Sequence, residues 1–321
     1  MSELSPFARQ ITLPEVGLRG QQRLSQAHVL VVGAGGLGCP VLMYLASAGV
    51  GQITLVDPDH VERTNLHRQP LYSMADIGRA KVTAAAQRLN EMAPDLQLDV
   101  HSHALGASTA NALIKNADLV VDAADSFAVS YILSDVCRAA RKLLITGSAL
   151  GLSGYVAGVC GEGPSLRAVF PDLPERAATC ASAGVLGPIV GMVGAAQAQL
   201  VLHALLELAP KVSGQMLTFS MEQMRPSSFR FDGATEPQDI LRFAPLSMDA
   251  LIVDLRGVEE APLLVHPDAC RILPEAIEAA DLPRDRPILL ACATGLRAWR
   301  AGRQLLARGC PDVTLHAVTA P

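Results

Sequence analysis

The run Gly33-Ala34-Gly35-Gly36-Leu37-Gly38 places four glycines directly after an apolar stretch, VLVV at 29–32. Residues of this type bring backbone N–H groups up to a phosphate. Gly33 permits a tight turn, Gly35 lets the main chain approach an anion, and Gly38 allows a helix to pack close against a strand. The helix that starts here adds unpaired N–H groups of its own. Asp57 ends the next apolar run, ITLVD at 53–57, and is placed to accept hydrogen bonds from a ribose. With Gly36, these residues are candidate nucleotide ligands, and by themselves they fit NAD as well as ATP.

The segment that begins where ITLVD ends carries Asp59, Asn65, Arg68 and Lys81. Arg68 and Lys81 can neutralise a triphosphate while Asn65 donates to an oxygen. A dinucleotide's pyrophosphate, already held by a helix N-terminus, has no need of that cationic pair. A solvated loop with ordinary surface charges is the alternative reading. Asp122 and Asp125 flank the end of a third apolar run, DLVVDA. A carboxylate there can hold Mg²⁺ on phosphates, because Mg²⁺ takes hard oxygen ligands and keeps several waters. Asp125, just past the strand, is the better metal candidate, with helix capping the rival for both. Two cysteines also stand out. Cys180 precedes an uncharged apolar stretch, and Cys292 opens Cys292-Ala293-Thr294-Gly295-Leu296-Arg297 between an apolar strand and a helical pattern. Helix N-termini and loop N–H groups stabilise thiolates; buried structural thiols are the plainer reading of each.

These groups need a scaffold, and the patterning supplies one. Strands are expected at 29–32, 53–57, 96–100, 118–123 and 142–149, alternating with helices to about 48 and over about 78–91, 108–116 and 127–140. That alternation predicts an α/β fold with a doubly wound, mostly parallel sheet. A strand near 154–160, an irregular Pro- and Gly-rich segment at 161–180, an uncharged helix and a strand at 215–220 follow. Polar residues 222–238 read as a linker between a nucleotide-binding domain, 1–221, and a second, smaller α/β unit, 239–321. The second unit shows strands at 250–256, 287–293 and 313–318 and a helix at 296–308.

The chain has 321 residues, is 50% hydrophobic and 18% charged, and carries a formal charge of -5. It can bury a sizeable core, and nothing in this balance points to nucleic acid or a membrane surface as partner. Residues 181–206 hold no charged side chain, which meets the length test for a membrane span. Pro188, the glycines at Gly187, Gly191 and Gly194, and polar Gln197, Gln199 and His203 favour a buried helix instead. The N-terminus, MSELSPFARQ, has no basic region followed by an apolar run, so the expectation is no secretory leader and a cytoplasmic location. Seven cysteines, none at CxxC spacing, suggest neither a disulfide framework nor a zinc ribbon.

In combination, FARQI, VLVVGAGGLGCP, GVGQITLVDPDHVERTNLHRQ, DIGRAKV, VVDAADS and CASAGVLGP resemble the ThiF/MoeB/HesA group, relatives of the ubiquitin-activating enzymes. The resemblance covers roughly residues 4–220. It implies an ATP-dependent adenylyltransferase that activates the C-terminal carboxylate of a small ubiquitin-fold sulfur carrier ending Gly-Gly, with release of pyrophosphate. It also implies a homodimer in which an N-terminal arginine, matched by Arg9, reaches the partner's ATP. Gly33, Gly35, Gly36 and Gly38 fall on the phosphate loop, Asp57 on the ribose contact and Asp59 on the acidic motif after it. Asn65, Arg68 and Lys81 fall on phosphate and transition-state contacts, and Asp125 on the Mg²⁺-associated aspartate. Cys180 matches a cysteine that forms an acyl disulfide with the carrier in thiamine-type members. The chain departs from the group at Ala124-Asp125-Ser126, where Thr-Asp-Asn is usual, and at Ser130, usually arginine. Many members carry two CxxC pairs for zinc. Here Ser165 and Ala168 stand at the first and no pair occurs near 222–232, so no structural zinc is expected.

Residues 248–319 resemble a rhodanese domain through LIVDLRGVEE, LPEAIEAADLP and the Cys292 loop, although Ala293 replaces the usual arginine. The implied activity is sulfur transfer on Cys292, with a cysteine desulfurase or another sulfur donor upstream; a degenerate domain used for docking is the alternative. Molybdopterin synthesis is the nominal pathway beside thiamine, thiolated tRNA or a specialised metabolite. Three other functions stay open: adenylation of a peptide or small-molecule carboxylate, noncatalytic docking of a ubiquitin-like partner, and, well behind, NAD-dependent oxidoreduction.

Overall fold

The computed structural model describes residues 5–173, 183–238, 240–310 and 312–318. Two helices, α1 (Ala8–Ile11) and α2 (Gly17–Gln26), precede the first strand, β1 (His28–Val32). β1 is apolar at four successive positions, with Val29 and Val31 facing one layer and Leu30 and Val32 the other. A strand buried on both faces is what a parallel sheet under two helix layers demands. β2 (Gln52–Val56), β3 (Gln97–His101), β4 (Leu119–Asp122) and β5 (Leu143–Leu150) run parallel to it. They are joined by α3 (Gly38–Ser47), α4 (Lys81–Met92), α5 (Ala110–Asn116) and α6 (Phe127–Ala140).

β6 (Ser153–Cys160), α7 (Leu166–Val169), α8 (Gly187–Leu205), β7 (Gln215–Ser220) and β8 (Arg225–Arg230) complete the first unit. The sheet order is β3-β2-β1-β4-β5-β6-β7-β8, with the last three strands antiparallel. β1 pairs with β2 on one side and β4 on the other. The winding therefore reverses between β1 and β4, and a crevice opens at their carboxyl ends.

α3, α4 and α8 cover one face through Leu42, Leu45, Leu89 and Val193; α5 and α6 cover the other through Ile114, Leu133 and Cys137. By length and composition α8 is apolar enough to cross a membrane, but its apolar character serves packing against protein. A Cβ on Gly194 would lie 2.4 Å from Pro40 Cγ and 2.5 Å from Leu37 O, so only glycine lets α8 approach α3 this closely. Gln197 of α8 is fully buried and donates to Asp122 O at 2.7 Å.

The polar composition of 222–238 predicts a linker, but residues 225–230 form β8, paired along its length with β7. Every residue of β8 is exposed, as befits an edge strand, and its RPSSFR sequence carries no burial pattern to read. The connection to the second unit is thus shorter than expected. That unit holds β9 (Arg242–Phe243), β10 (Leu251–Asp254), β11 (Cys270–Arg271), β12 (Ile288–Cys292), α9 (Leu296–Ala307) and β13 (Val313–Ala317). Its all-parallel sheet runs β11-β10-β12-β13-β9. Leu290, Ala298, Leu305 and Leu315 build its core. Leu296 packs instead into the layer beneath α5 and α6, and Phe243 and Trp299 touch both cores.

Candidate active site

The glycine loop lies at the switch point. Gly33 has φ 103°, and a Cβ there would sit 2.4 Å from Ala123 O. On Gly38 a Cβ would fall 2.0 Å from Gly33 O, which fixes how closely α3 starts against the turn. On Gly36 it would meet Val190 of α8 at 2.5 Å. Gly35 differs: only Gln69 Nε2, at 3.7 Å, lies near, so this peptide faces open space. α3 has no side-chain cap at its start; Cys39 N donates back to Gly35 O at 2.9 Å and Pro40 has no N–H, so the amides offered to an anion are those of the glycine loop that leads into it.

Asp57 lies behind the loop rather than in the open. Its Oδ2 accepts from Ala34 N at 2.7 Å and its Oδ1 from Asp59 N at 2.8 Å. Burial pushes this carboxyl up, against the pull of Lys81 and the two amides. The Tyr72 hydroxyl donates to Ala34 O at 2.7 Å. Both polar groups of the Ala34 peptide are therefore held, one by Asp57 and one by Tyr72. Asp59 is the exposed carboxylate, and the buried Lys81 at the start of α4 donates to its Oδ2 at 2.7 Å.

Asn65 is buried in a short 3-10 turn, its Oδ1 accepting from Glu62 N at 3.2 Å. Arg68 is half-buried; its Nη1 donates to Thr64 O at 3.0 Å and lies 2.9 Å from His67 Nε2. Its backbone O would be 3.4 Å from a Cβ on Gly36, so the Arg68 segment borders the phosphate loop. Sequence reasoning overlooked two residues here. Tyr72 grips the loop, and Gln69, buried against Gly35, has an Oε1 without a hydrogen-bond partner among the described residues. The signal for each was its place in the NLHRQPLY run beside Arg68, but only the folded loop shows what either touches.

Asp122 and Asp125 separate cleanly. Asp122 is buried, accepting from Thr146 Oγ1 at 2.8 Å and Ala124 N at 3.3 Å. Burial pushes its carboxyl up to about 6, despite hydrogen bonds from Ser130, Thr146 and Ala124. Asp125 is exposed at the mouth of the crevice, and the N-cap of α6 is Ser126. Among the described residues no group of three or more metal-ligating side chains occurs. One open carboxylate beside a phosphate loop nevertheless fits Mg²⁺ delivered with a nucleotide, since that ion takes one or two carboxylates plus phosphate oxygens and water.

The stretch at which the resemblance would place a first cysteine pair holds other groups. Ser165 caps α7; its amide and hydroxyl donate to Glu236 at 2.8 and 2.6 Å. Arg138 lies 3.5 Å from the same carboxylate. The buried Arg167 makes a two-pronged ion pair with Asp135 at 2.7 and 2.9 Å and stacks over Tyr131. One carboxylate beside a guanidinium is not a donor set for structural Zn²⁺. These polar bonds tie the segment down.

Two candidates lie apart from the crevice. Arg9 is exposed on α1, whose neighbour Gln10 donates to Ala48 O, the cap at the far end of α3. The ten residues of α3 separate it from the loop by about 15 Å of helix, so it does not join the other site residues within one subunit. Cys292 ends β12 in the second unit, fully buried, and accepts from Ala298 N at 3.3 Å. Cys180 falls outside the described residues.

Residues 7–239 match the model of the ThiF family. The chain is 42% identical over 231 residues to "Adenylyltransferase and sulfurtransferase MOCS3" of Anopheles gambiae, which covers 71% of this chain and 52% of that protein. The chain thus spans about half the length of the curated relatives it matches. Among solved structures it resembles E. coli MccB crystallised with MccA-N7isoASN, with TM-score 0.62 and 20% identity over 72% of each chain. E. coli MccB with ATP gives TM-score 0.56 and 21% identity over 65% of each chain. Likeness at this identity is one of fold.

Proposed function

This chain belongs to the ThiF family, and from that premise we propose that it adenylates the C-terminal carboxylate of a small ubiquitin-fold sulfur carrier ending Gly-Gly. The observation that carries the reading is the convergence of Lys81, Asp59 and the Arg68 segment on an open glycine loop at the switch point. The name of the MOCS3 relative supports it, as does the occurrence of ATP in a solved structure of this fold.

The chemistry needs little more than charge and position. A carboxylate oxygen of the carrier attacks the α-phosphorus of ATP, and the bond to the β-phosphate breaks to release pyrophosphate. The nucleophile is already ionised, so no side chain need take a proton. Two anions must meet, and Lys81 and Arg68 offset their repulsion while the loop N–H groups hold the phosphates. A Mg²⁺ held by Asp125 would supply further neutralisation of the phosphates. The exposed Asp59 is better placed than the buried Asp57 to accept from a ribose, because both Asp57 oxygens already accept backbone amides, from Ala34 and from Asp59. Arg9 completes the site in a homodimer, reaching the partner's nucleotide, consistent with its distance from its own loop.

Sulfur then enters from a persulfide on Cys292 or from a separate donor such as a cysteine desulfurase. The terminal sulfur attacks the acyl-adenylate and AMP leaves, giving an acyl disulfide. A second thiol then attacks the cysteine sulfur, breaking the S–S bond, so the thiocarboxylate leaves and a disulfide between the two cysteines forms. Cys180 is a candidate acyl carrier in that sequence.

Carrier-stimulated exchange of pyrophosphate into ATP, run with Mg²⁺ and a panel of Gly-Gly-ending carriers, tests the proposal. Exchange is expected with at least one carrier; tight carrier binding without exchange would favour a docking protein. A second reading, adenylation of a peptide carboxylate, is favoured by the fold's likeness to MccB crystallised with MccA-N7isoASN and by Ala124 and Ser130 at the altered motif. Exchange driven by short peptides and not by carriers would select it.

A further inference from the structure

Gln69 carries a buried amide with no hydrogen bond at either end among the described residues. The residue is 3% exposed, and its Oε1 is buried without a partner. Its Nε2 borders the open space over Gly35, 3.7 Å from where a Cβ on that glycine would stand, and nothing else lies near that point. Gln197 also has an orphaned Oε1, but its Nε2 donates to Asp122 O at 2.7 Å and to Ile145 O at 3.4 Å. Gln69 has no such anchor. Only its main chain is bonded, through Gln69 N to Asn65 O and Tyr72 N to Gln69 O.

A buried polar atom left unpaired destabilises a fold, and each such atom calls for a reason. The geometry of the amide supplies one. Its two ends diverge, so an N–H₂ aimed at the crevice turns the carbonyl the opposite way, into protein. The orphaned Oε1 is the counterpart of a donor held outward. The reverse orientation would set a carbonyl oxygen against any anion on the loop. Such an anion has reason to come: the Gly35 and Gly36 amides donate to no described residue. Arg68, one residue earlier, lies against Gly36, its Cγ 3.6 Å from a Cβ there. Successive residues of one turn thus reach successive glycines, a cation at Gly36 and a neutral donor at Gly35.

We propose that Gln69 is a phosphate ligand: its Nε2 donates to an oxygen of the ATP phosphate seated on Gly35. The inference rests on the reading of this crevice as an ATP site. An uncharged donor strengthens the hold on that phosphate without adding a third like charge beside Arg68 and Lys81.

The test is calorimetric titration of the full-length protein with ATP, paired with thermal melts, for the wild type and two variants. Gln69→Met keeps the side chain's length and removes both polar ends. It should weaken ATP binding by at least about tenfold, the contribution of one hydrogen bond to a charged group. Its melting temperature should stay level or rise, because an orphaned buried oxygen is gone. Gln69→Glu keeps the shape but puts an anionic oxygen where the donor was, and should weaken ATP binding further. Should Gln69→Glu not fold, Gln69→Met decides. Unchanged ATP affinity in Gln69→Met would overturn the proposal. So would lost affinity with a lower melting temperature, the mark of a structural role. Gln69→Glu binding ATP as the wild type does would mean that Gln69 faces a hydroxyl or amine of the ligand, and would overturn it too. A wild type that binds no ATP would sink the adenylation reading itself, and this ligand with it.

Discussion

Both units place their chemistry in the same way, at the carboxyl end of a parallel strand where a glycine-bearing loop starts a helix. The nucleotide crevice leaves that loop open: Gly35 faces space, and Asp59 and Asp125 are exposed. The Cys292 loop is exposed only at Thr294, with Cys292 itself buried and Gly295 pressed on Phe243 and Ala128. One local solution therefore yields a site ready for a soluble ligand in one unit and a sealed thiol in the other. The difference lies in what packs on the loop, not in the loop itself.

The largest effect should come from Lys81→Ala, which is expected to cut pyrophosphate exchange by about 10²–10³-fold, the usual cost of removing one preorganised group from developing charge. Next is the pH response of Asp122. Its carboxyl is raised from 3.8 to about 6, so between those values the unfolded chain ionises while the folded protein keeps its proton. Stability is therefore full below about pH 4 and declines as pH rises to about 6, by roughly 3 kcal/mol at about 1.4 kcal/mol per unit. Urea denaturation of Asp122→Asn should lack that decline; parallel pH curves for the two proteins would remove Asp122 from the account.

A paired substitution sharpens the contrast between loops. Alanine at Gly33 meets the Ala123 carbonyl, which cannot move without the sheet, whereas alanine at Gly295 meets chiefly the Phe243 ring. Gly33→Ala should cost about 2–3 kcal/mol and Gly295→Ala about 1 kcal/mol. Thermal melts giving the reverse order would contradict the view that the Phe243 ring yields more readily than the Ala123 carbonyl. The smallest effect belongs to Tyr72→Phe. Losing its hydrogen bond to Ala34 should cost about 1 kcal/mol and weaken ATP binding, read as a raised KM; an unchanged KM would mean the loop needs no such grip.

Much of this was legible in the sequence. VLVV, ITLVD and DLVVDA are continuous apolar runs, and burial on both faces makes such runs strands in the structure. The glycines announced a loop because their backbone demands are local. β8 escaped because an exposed edge strand has no hydrophobic period to detect. Tyr72 and Gln69 escaped because their importance lies in reaching Ala34 and Gly35 across more than thirty residues of chain, a proximity that only the fold creates. Asp57 was legible as a site residue, but its turn behind the loop was not, since sequence cannot say which carboxylate of the Asp57–Asp59 pair faces outward. The docking of Leu296 into the first unit's layer left no trace at all, because a leucine reads alike in either core.

The central claim is that the open crevice transfers AMP to a carrier's C-terminus. The most direct measurement is intact-mass spectrometry of a Gly-Gly-ending carrier after brief incubation with the protein, ATP and Mg²⁺. A carrier species heavier by one adenylyl group is expected with the wild type and not with Lys81→Ala. A carrier that binds the protein yet keeps its original mass, across the carrier panel, would contradict it.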